Sequence, residues 1–512
     1  MEKYNPLKLE PEILKFWKDN KIYEKATEKN KNKKKFYFCD GPPYTSGKVH
    51  LGTAWNKSLK DSILRYKRMQ SFEVIDRAGY DMHGLPTENA AEKELKLKDK
   101  EAIQKFGVDK FTKACKNLSI RNMKIMNEDF KRLGVWMDFD NAYQSVNKEY
   151  IDGEWWLVKK AHEKGRLYEG LRSMAWDWSH QTALAKHELE YKTIKDKSIF
   201  IKMKVKGKEN TYLIIWTTTP WTIAFNLGIM AHPDFEYVKC KVNDEFWIVA
   251  KALASAFISS VVNKKFKIVE EFKGKELEGL EYEHPFYDEL KEHYDRIKSE
   301  CPKTHTVVLS DEYVDTSSGT GLVHMAPGCG PEDYEVGHKN KIKPWNAVKE
   351  DGIYGSEMGI FSGRHAIKDN PSFSEDLKKK NALIAETEVE HQYPCGQRSH
   401  EPVIFRTTKQ WFFKMEDVKN EMIKENNQVT WIPKAGYNAF NAWLENLRDN
   451  SISKQRYWGT PIPIWRNVED ANDYIVVGST KELEELSGQK VEEPHIPWID
   501  KINIEKNGKT YR

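Results

Sequence analysis

The chain has few cysteines, no long apolar run and little net charge, and each shortage removes a class of protein. Its six cysteines, Cys39, Cys115, Cys240, Cys301, Cys329 and Cys395, include no pair spaced as CxxC. Neither a disulfide framework nor a cysteine metal knuckle is announced, and reduced thiols are expected. No apolar stretch approaches the roughly 20 residues that cross a bilayer, and the amino terminus MEKYNPLKLEPEILKFW has no apolar signal core. No membrane partner is expected, and the cytoplasm is the expected compartment. The 82 basic residues nearly cancel the 78 acidic ones, so the net charge of +4 does not by itself announce a polyanion as partner. One local cluster, KNKNKKK at residues 29–35, reads either as a solvated lysine tract or as a phosphate-binding arm. Internal repeats are missing, and so is any other low-complexity segment.

What remains is a globular composition: hydrophobic residues at 39% and charged residues at 31% fit a well-buried interior under a heavily charged surface. A length of 512 residues predicts two or three domains. After a helical stretch from residue 8, KFYFCD reads as a buried strand. Beyond a glycine-proline loop, Leu51, Trp55, Leu59, Ile63 and Tyr66 recur at spacings of four or three, which is one face of a helix of about five turns. EVIDRAGYD supplies a second strand, completing a strand, crossover helix, strand unit, which is parallel and opens a crevice at the carboxyl ends of its strands. From about residue 190 short β-rich runs take over, SIFIKMKVKG, TYLIIWTTTPWT, FEYVKCKVNDEFWIVA and FKIVEEF. Near residue 400 a mixed pattern returns, with NAFNAWLENLRDNSISKQRYWGTPIPIW read as helical. The expected organisation is an α/β, Rossmann-type parallel-sheet domain, residues 1–190 and 399–512, interrupted by a β-rich insertion at residues 191–398.

The loop GPPYTSGKVHLGT leads straight into that first helix. Glycines at a helix start leave backbone N–H groups pointing outward beside the positive end of the helix dipole, an arrangement suited to phosphate. His50, at the helix entry, reads either as a donor to phosphate oxygens or as a structural hydrogen bonder. The loop is neither GxxxxGK[ST] nor GxGxxG, so spacing alone does not choose. The longer ordered string does: DGPPYTSGKVHLGTAWNKSLKDSILRYKRM followed by AGYDMHGLPTE resembles the signature of the class I aminoacyl-tRNA synthetases. DGPPY together with DMHGLP resembles the isoleucine branch in its archaeal-looking form more than the leucine or valine branches.

That resemblance implies an ATP-dependent ligase, with Mg2+ accompanying the nucleotide, that activates isoleucine and transfers it to tRNA(Ile). HLGT, residues 50–53, stands where the family has its HIGH tetrapeptide; His50 and Gly52 match, and Thr53 departs from the second histidine. Pro43, His50, Gly52, Thr53 and Asn56 are implied at the ATP site, with His50 and Thr53 catalytic. Pro43, Asp81 and His83 are implied at the amino-acid pocket, where a carboxylate facing an ammonium in a partly dry cleft gives directional recognition. Read alone, Asp81 equally orders its own tight loop.

The insertion carries a second constellation. WTTTPWTIAFN puts Thr217, Thr218 and Thr219 after an apolar strand, where they read as ordinary strand-end residues. GTGLVHMAPGCGPEDYEVG is a glycine-rich loop running into a helix, with Pro331 in the first turn and Glu332 and Asp333 placed to complement the helix dipole. Both segments also resemble the hydrolytic editing domain of the isoleucine, valine and leucine branches, in which Asp333 would hold the ammonium of a mischarged amino acid while the threonines and His324 line the pocket. The need for such a site is physical: one methylene is worth about 1–3 kcal/mol in an apolar pocket, and the isoleucine enzyme is itself the standard example of that limit. Positioned water suffices as nucleophile, and Cys329 reads as a bystander.

The segments WDWSHQTAL and YPCGQRSHEP lack the paired CxxC of zinc-bearing relatives. Asp177, His180, Cys395 and His400 offer at most a mixed tetrahedral set, so no structural Zn2+ is expected. SISKQRYWGTPIPIW resembles the start of the second half of the nucleotide fold, with Asn450 where the family has a tryptophan and with Trp458 read as packing. No KMSKS-like lysine loop and no anticodon-binding helical domain is present. The expectation is an amino-terminal portion whose other half lies in the same gene product or in a separate chain. The alternatives are a stand-alone hydrolase of mischarged tRNA and a tRNA-binding adaptor without chemistry.

Overall fold

The predicted strand, helix, strand unit forms as Lys35–Tyr37, Leu51–Met69 and Glu73–Ile75, with the two strands parallel and Lys35 paired to Glu73. The second strand continues after Asp76 as Arg77–Tyr80, which pairs in parallel with Asp138–Gln144. This is a computed structural model describing residues 4–512. Three parallel segments therefore lie side by side. The bent middle one, residues 73–80, ends at Asp81, which bridges to Tyr44.

The helix Leu51–Met69 corrects the reading of its own amphipathic pattern. Its apolar residues Leu51, Trp55, Leu59, Ile63 and Tyr66 are all more than half exposed, and the buried side chains are Lys57, Asp61, Leu64 and Arg68. Charge pairing is what turns the helix over. Lys57 reaches the fully buried carboxylate of Asp40, which Lys60 also meets at 2.8 Å, while Arg68 pairs with buried Asp76. A helical period locates a stripe without saying which stripe faces the sheet. Behind it, Ala78, Tyr80, Met82, Phe111, Met126, Phe130 and Trp458 form one apolar core.

The chain divides into two compact units, one of Met1–Tyr168 with Phe412–Arg512 and one of Glu169–Trp411. The inserted unit begins earlier and ends later than residues 191–398. Leu167–Asp177 and Ile404–Phe413 are strands that run across the two boundaries, so no break in the strand pattern marks where one unit gives way to the next. Within the insertion, Leu189–Val205 pairs antiparallel with Leu383–Gly396 over most of its length and with Thr211–Thr217 at its far end. Among the described residues its main sheet has ten strands. Thr211–Thr217 has Glu245–Ala250 parallel beside its beginning and Leu322–Met325 beside its end. Gly321 sits at φ +73° with a hypothetical Cβ 2.3 Å from Ala250 Cβ, so only glycine lets these strands approach.

In the first unit the helical reading of NAFNAWLENLRDN holds as Ala435–Glu445, but SISKQRYWGTPIP is not helical. The prolines at 461 and 463 and the demand of Glu88 for two backbone donors, described below, keep it extended.

Candidate active sites

In the first unit, His50 is the N-cap of Leu51–Met69. The Thr53 backbone N–H donates to its Nδ1 at 3.4 Å, and its Nε2 lies 2.9 Å from the Thr53 hydroxyl. The proton consequently sits on Nε2 and points at Thr53 Oγ1, leaving the threonine hydroxyl proton free to donate outward. A Cβ at residue 52 would stand 3.1 Å from the His50 ring, so Gly52 is what lets the imidazole fold over the helix start. His50 and Asn56, one turn further on, are exposed; Thr53 is half-buried.

Asp40 ties the beginning of the loop down. Besides its two lysines, its carboxylate accepts from Gly79 N at 3.3 Å, and its backbone carbonyl accepts from the Tyr143 hydroxyl. Pro43 O accepts from Asp81 N at 3.0 Å and Thr45 N donates to Asp81 O at 3.1 Å, which locks loop and strand end together. The Asp81 side chain accepts from the His83 amide and the Tyr44 hydroxyl, yet burial outweighs both and raises its carboxyl above the usual range. Glu154 lies near it, its carboxyl also raised by burial, with a hydrogen bond from Thr460 and with Oε2 buried and unpaired.

His83 is held inside the chain. Its Nε2 meets His495 Nε2 at 2.8 Å and its Nδ1 meets the Thr460 hydroxyl at 3.3 Å, so neither ring nitrogen is open to a ligand. Burial and the neighbouring His495 drive its pKa down to about 3. Fully buried Trp458 supports it edge-on at 4.9 Å and sends its indole N–H to Met82 O at 2.6 Å. Glu88, pushed up to about 7 by burial, receives both Tyr457 N and Trp458 N at 2.7 Å.

In the second unit one cavity of about 320 Å3 is lined by Thr217, Thr218, Thr219, Thr222, His324 and Asp333, with Tyr313, Asp315 and Cys329 also on its wall. Residues more than a hundred positions apart thus share one space. Thr211–Thr217 ends in the threonines, and Leu322–Met325 brings His324 beside them. The helix Pro331–Lys339 starts at its proline and presents Asp333 in its first turn. Asp333 Oδ2 accepts from Ala326 N at 2.8 Å. Burial nevertheless pushes its carboxyl up to about 7, with Glu332 adding to the rise. Burial also lowers the His324 pKa to about 3, keeping the ring neutral. The Cys329 thiol is pushed up by burial and then by Asp333, which leaves it protonated and unreactive.

A family model described as tRNA synthetases class I (I, L, M and V) matches residues 12–510. The chain belongs to this family. Among its curated relatives, isoleucine–tRNA ligase of Pyrococcus abyssi is 45% identical over 99% of this chain and 50% of the relative. The proteins of the same name from Archaeoglobus fulgidus and Methanocaldococcus jannaschii are 44% and 42% identical, each over 98% of this chain, covering 48% and 50% of their own lengths. The chain spans about half the length of the curated relatives it matches.

For this class I synthetase chain, sequence reasoning missed Asp40, Lys57 and Lys60 around the loop, Glu154 beside Asp81, and Thr222 and Asn226 behind the threonines. Thr222 and Asn226 stand inside the quoted WTTTPWTIAFN and were legible as further hydrogen-bonding side chains. Glu154 sits in a run of helix residues with nothing local to mark it. Of the weighed metal ligands, His180 pairs with Asp177 at 2.9 Å, His400 pairs with Glu190 at 2.8 Å, and Cys395 faces the Tyr393 carbonyl. Among the described residues no group of three or more His, Cys, Asp or Glu side chains is gathered for a metal, and all six cysteines are unpaired. No helix among them is long and apolar enough to cross a membrane.

Proposed function

We propose that the chain is the amino-terminal portion of an isoleucine–tRNA ligase, with an activation site around residues 41–56 and Asp81 and an editing site in the inserted unit. In the first site the start of Leu51–Met69 and the Thr53 hydroxyl, oriented by His50, offer donors to the phosphates of ATP, which Mg2+ accompanies, while Asp81 takes the ammonium of isoleucine. Pro43 and Asn56 would flank these groups. Attack of the isoleucine carboxylate on the α-phosphate releases pyrophosphate, and the chain's contribution is positioning and stabilisation of phosphate charge. The aminoacyl group then passes to tRNA(Ile). His83 supports the pocket through Trp458 and His495 without contacting ligand.

In the second site Asp333 takes the ammonium of a misattached valine, and the threonine hydroxyls orient the ester and a water. The cavity around Asp333 is the observation that carries this reading: a desolvated carboxylate, with no cation within ion-pair distance among the described residues, faces a cluster of hydroxyls. The half of the relatives that this chain does not span would complete the activation site, and the exposed apolar stripe of Leu51–Met69 is a surface for it to cover. The decisive experiment compares two activities. Isoleucine-dependent exchange of pyrophosphate into ATP, measured with the missing half supplied, and hydrolysis of valyl-tRNA(Ile) without ATP, abolished by Asp333→Ala, are both expected. Hydrolysis alone would leave a free-standing hydrolase, and tRNA binding with neither activity would leave an adaptor.

A further inference from the structure

Behind the threonine cavity runs a chain of hydrogen bonds whose direction is fixed from one end. Asn226 is fully buried, and its side-chain nitrogen stands 2.9 Å from Gly228 O, a carbonyl that can only accept. That contact places the amide NH2 and leaves Oδ1 to accept from the Tyr282 hydroxyl. The same NH2 lies 2.8 Å from His324 Nδ1, which therefore accepts. In a neutral ring the proton is then on Nε2, 2.9 Å from Thr222 Oγ1. Thr222 sends its own proton to Thr219 O at 2.8 Å. Neither Tyr282 nor Asn226 lines the cavity, so both act on it only through His324.

We propose that Tyr282 and Asn226 are positioning residues that lock His324 in the Nε2–H tautomer, making it a donor to Thr222 and not a general base. The inference rests on the editing reading for its catalytic meaning and on geometry alone for the tautomer. With Nδ1 filled by the amide and Nε2 committed to Thr222, the ring has no lone pair open to a water in the cavity. What it supplies is shape: it fixes the Thr222 hydroxyl and through it the Thr219 carbonyl. The Thr217 and Thr219 hydroxyls, 3.1 Å apart, remain to meet a substrate. The other titratable groups packed around the relay are already committed. His284 bonds Ile223 O at 3.0 Å, His305 bonds Asn226 O at 3.1 Å and Tyr294 bonds Ala224 O at 2.8 Å.

The test is 15N NMR of the histidine-labelled chain, with the His324 ring assigned by its disappearance in His324→Gln, run beside hydrolysis of valyl-tRNA(Ile). A neutral Nε2–H ring from pH 5 to 8 is expected. Tyr282→Phe, which takes the donor from Asn226 Oδ1 while Gly228 O still holds the NH2, should keep the Nε2–H form and, by loosening the amide behind the ring, lower kcat for hydrolysis about tenfold with KM unchanged. Asn226→Asp, which sets an acceptor against Nδ1, should invert the tautomer, and Asn226→Ala, which removes the donor to Nδ1, should admit the Nδ1–H form if the aspartate variant fails to fold. An imidazolium or Nδ1–H ring in the unaltered chain, or a tautomer indifferent to both Asn226 substitutions, overturns the proposal. Absence of hydrolysis in the unaltered chain overturns the editing reading instead and leaves the tautomer to be decided by the ring's 15N shifts.

Discussion

Replacing Asp333 by asparagine should stabilise the protein at neutral and alkaline pH while removing hydrolysis of the mischarged ester. Burial holds the folded carboxyl at about 7 against an ordinary value of 3.8. Between those values the folded state keeps a proton that the unfolded state releases, so unfolding becomes easier as pH rises, by about 1.4 kcal/mol per pH unit. The loss begins near the unfolded value and is complete above the folded one. Integrated from pH 5 to pH 8 it comes to about 2.5 kcal/mol, an order-of-magnitude figure. The neutral amide of the Asp333→Asn variant would carry no such penalty, and its oxygen can still accept from Ala326 N. Urea unfolding of the two proteins at pH 5 and pH 8, followed by tryptophan fluorescence, should therefore show the asparagine variant gaining on the unaltered chain as pH rises. The same titration predicts that kcat/KM for valyl-tRNA(Ile) hydrolysis climbs through an apparent pKa close to 7, because an ammonium seeks the ionised form. Parallel stability profiles for the two proteins would refute the claim that Asp333 is desolvated without a compensating cation.

His50→Ala should abolish pyrophosphate exchange in a protein that includes the missing half and leave valyl-ester hydrolysis unchanged; equal loss of both would remove the case for separate sites. Asp81→Lys should weaken isoleucine binding more than ATP binding, as calorimetry of each ligand would show, and an unchanged isoleucine affinity would dismiss its assigned role. Lys57→Met strands the buried carboxylate of Asp40 with Lys60 alone and should cost about 3 kcal/mol in urea unfolding, with most of it recovered in the double variant Asp40→Leu, Lys57→Met.

The order of elements was legible because local signals governed it: the strand in KFYFCD, the helix after the loop and the helix start at Pro331 all stand where pattern and proline put them, although that strand is confined to Lys35–Tyr37 and is exposed at both ends where a buried one was expected. Orientation was not. The stripe from Leu51 to Tyr66 has the period of a core face and lies outward, since the pairing of Lys57 and Arg68 with Asp40 and Asp76, outside the helix, appears only once the chain has folded. The unit boundaries lie 22 residues earlier and 13 residues later than expected for a related reason, as strands that pass from one unit to the next have no composition of their own. At the candidate sites the resemblance supplied Asp333, His324 and the threonines, and folding gathered them around one cavity. His83 was assigned to ligand from its place in DMHGLP, whereas both of its nitrogens are taken up by His495 and Thr460, partners more than 370 positions away.

The carboxylates of this chain sort themselves by what faces them. Asp40 has Lys57 and Lys60, and Asp376 has Arg364 and Lys379; at Asp76, which has Arg68, burial still outweighs the cation and raises the carboxyl. Asp81, Glu154 and Asp333 have hydroxyl or amide donors and, among the described residues, no ion pair, and burial raises all three; Glu88 is raised in the same way but has its carboxylate taken up by Tyr457 N and Trp458 N inside the fold. A desolvated acid without a cation is a cost to the fold, because hydrogen bonds to neutral donors return less than a paired charge. In the proposed reading the absent cation is the ammonium of an amino acid, in the first unit before it is joined to tRNA and in the second after it has been joined wrongly. Glu154, unmarked in the sequence, then belongs with Asp81 as part of the same ammonium-facing wall, with one buried oxygen that has no hydrogen-bond partner.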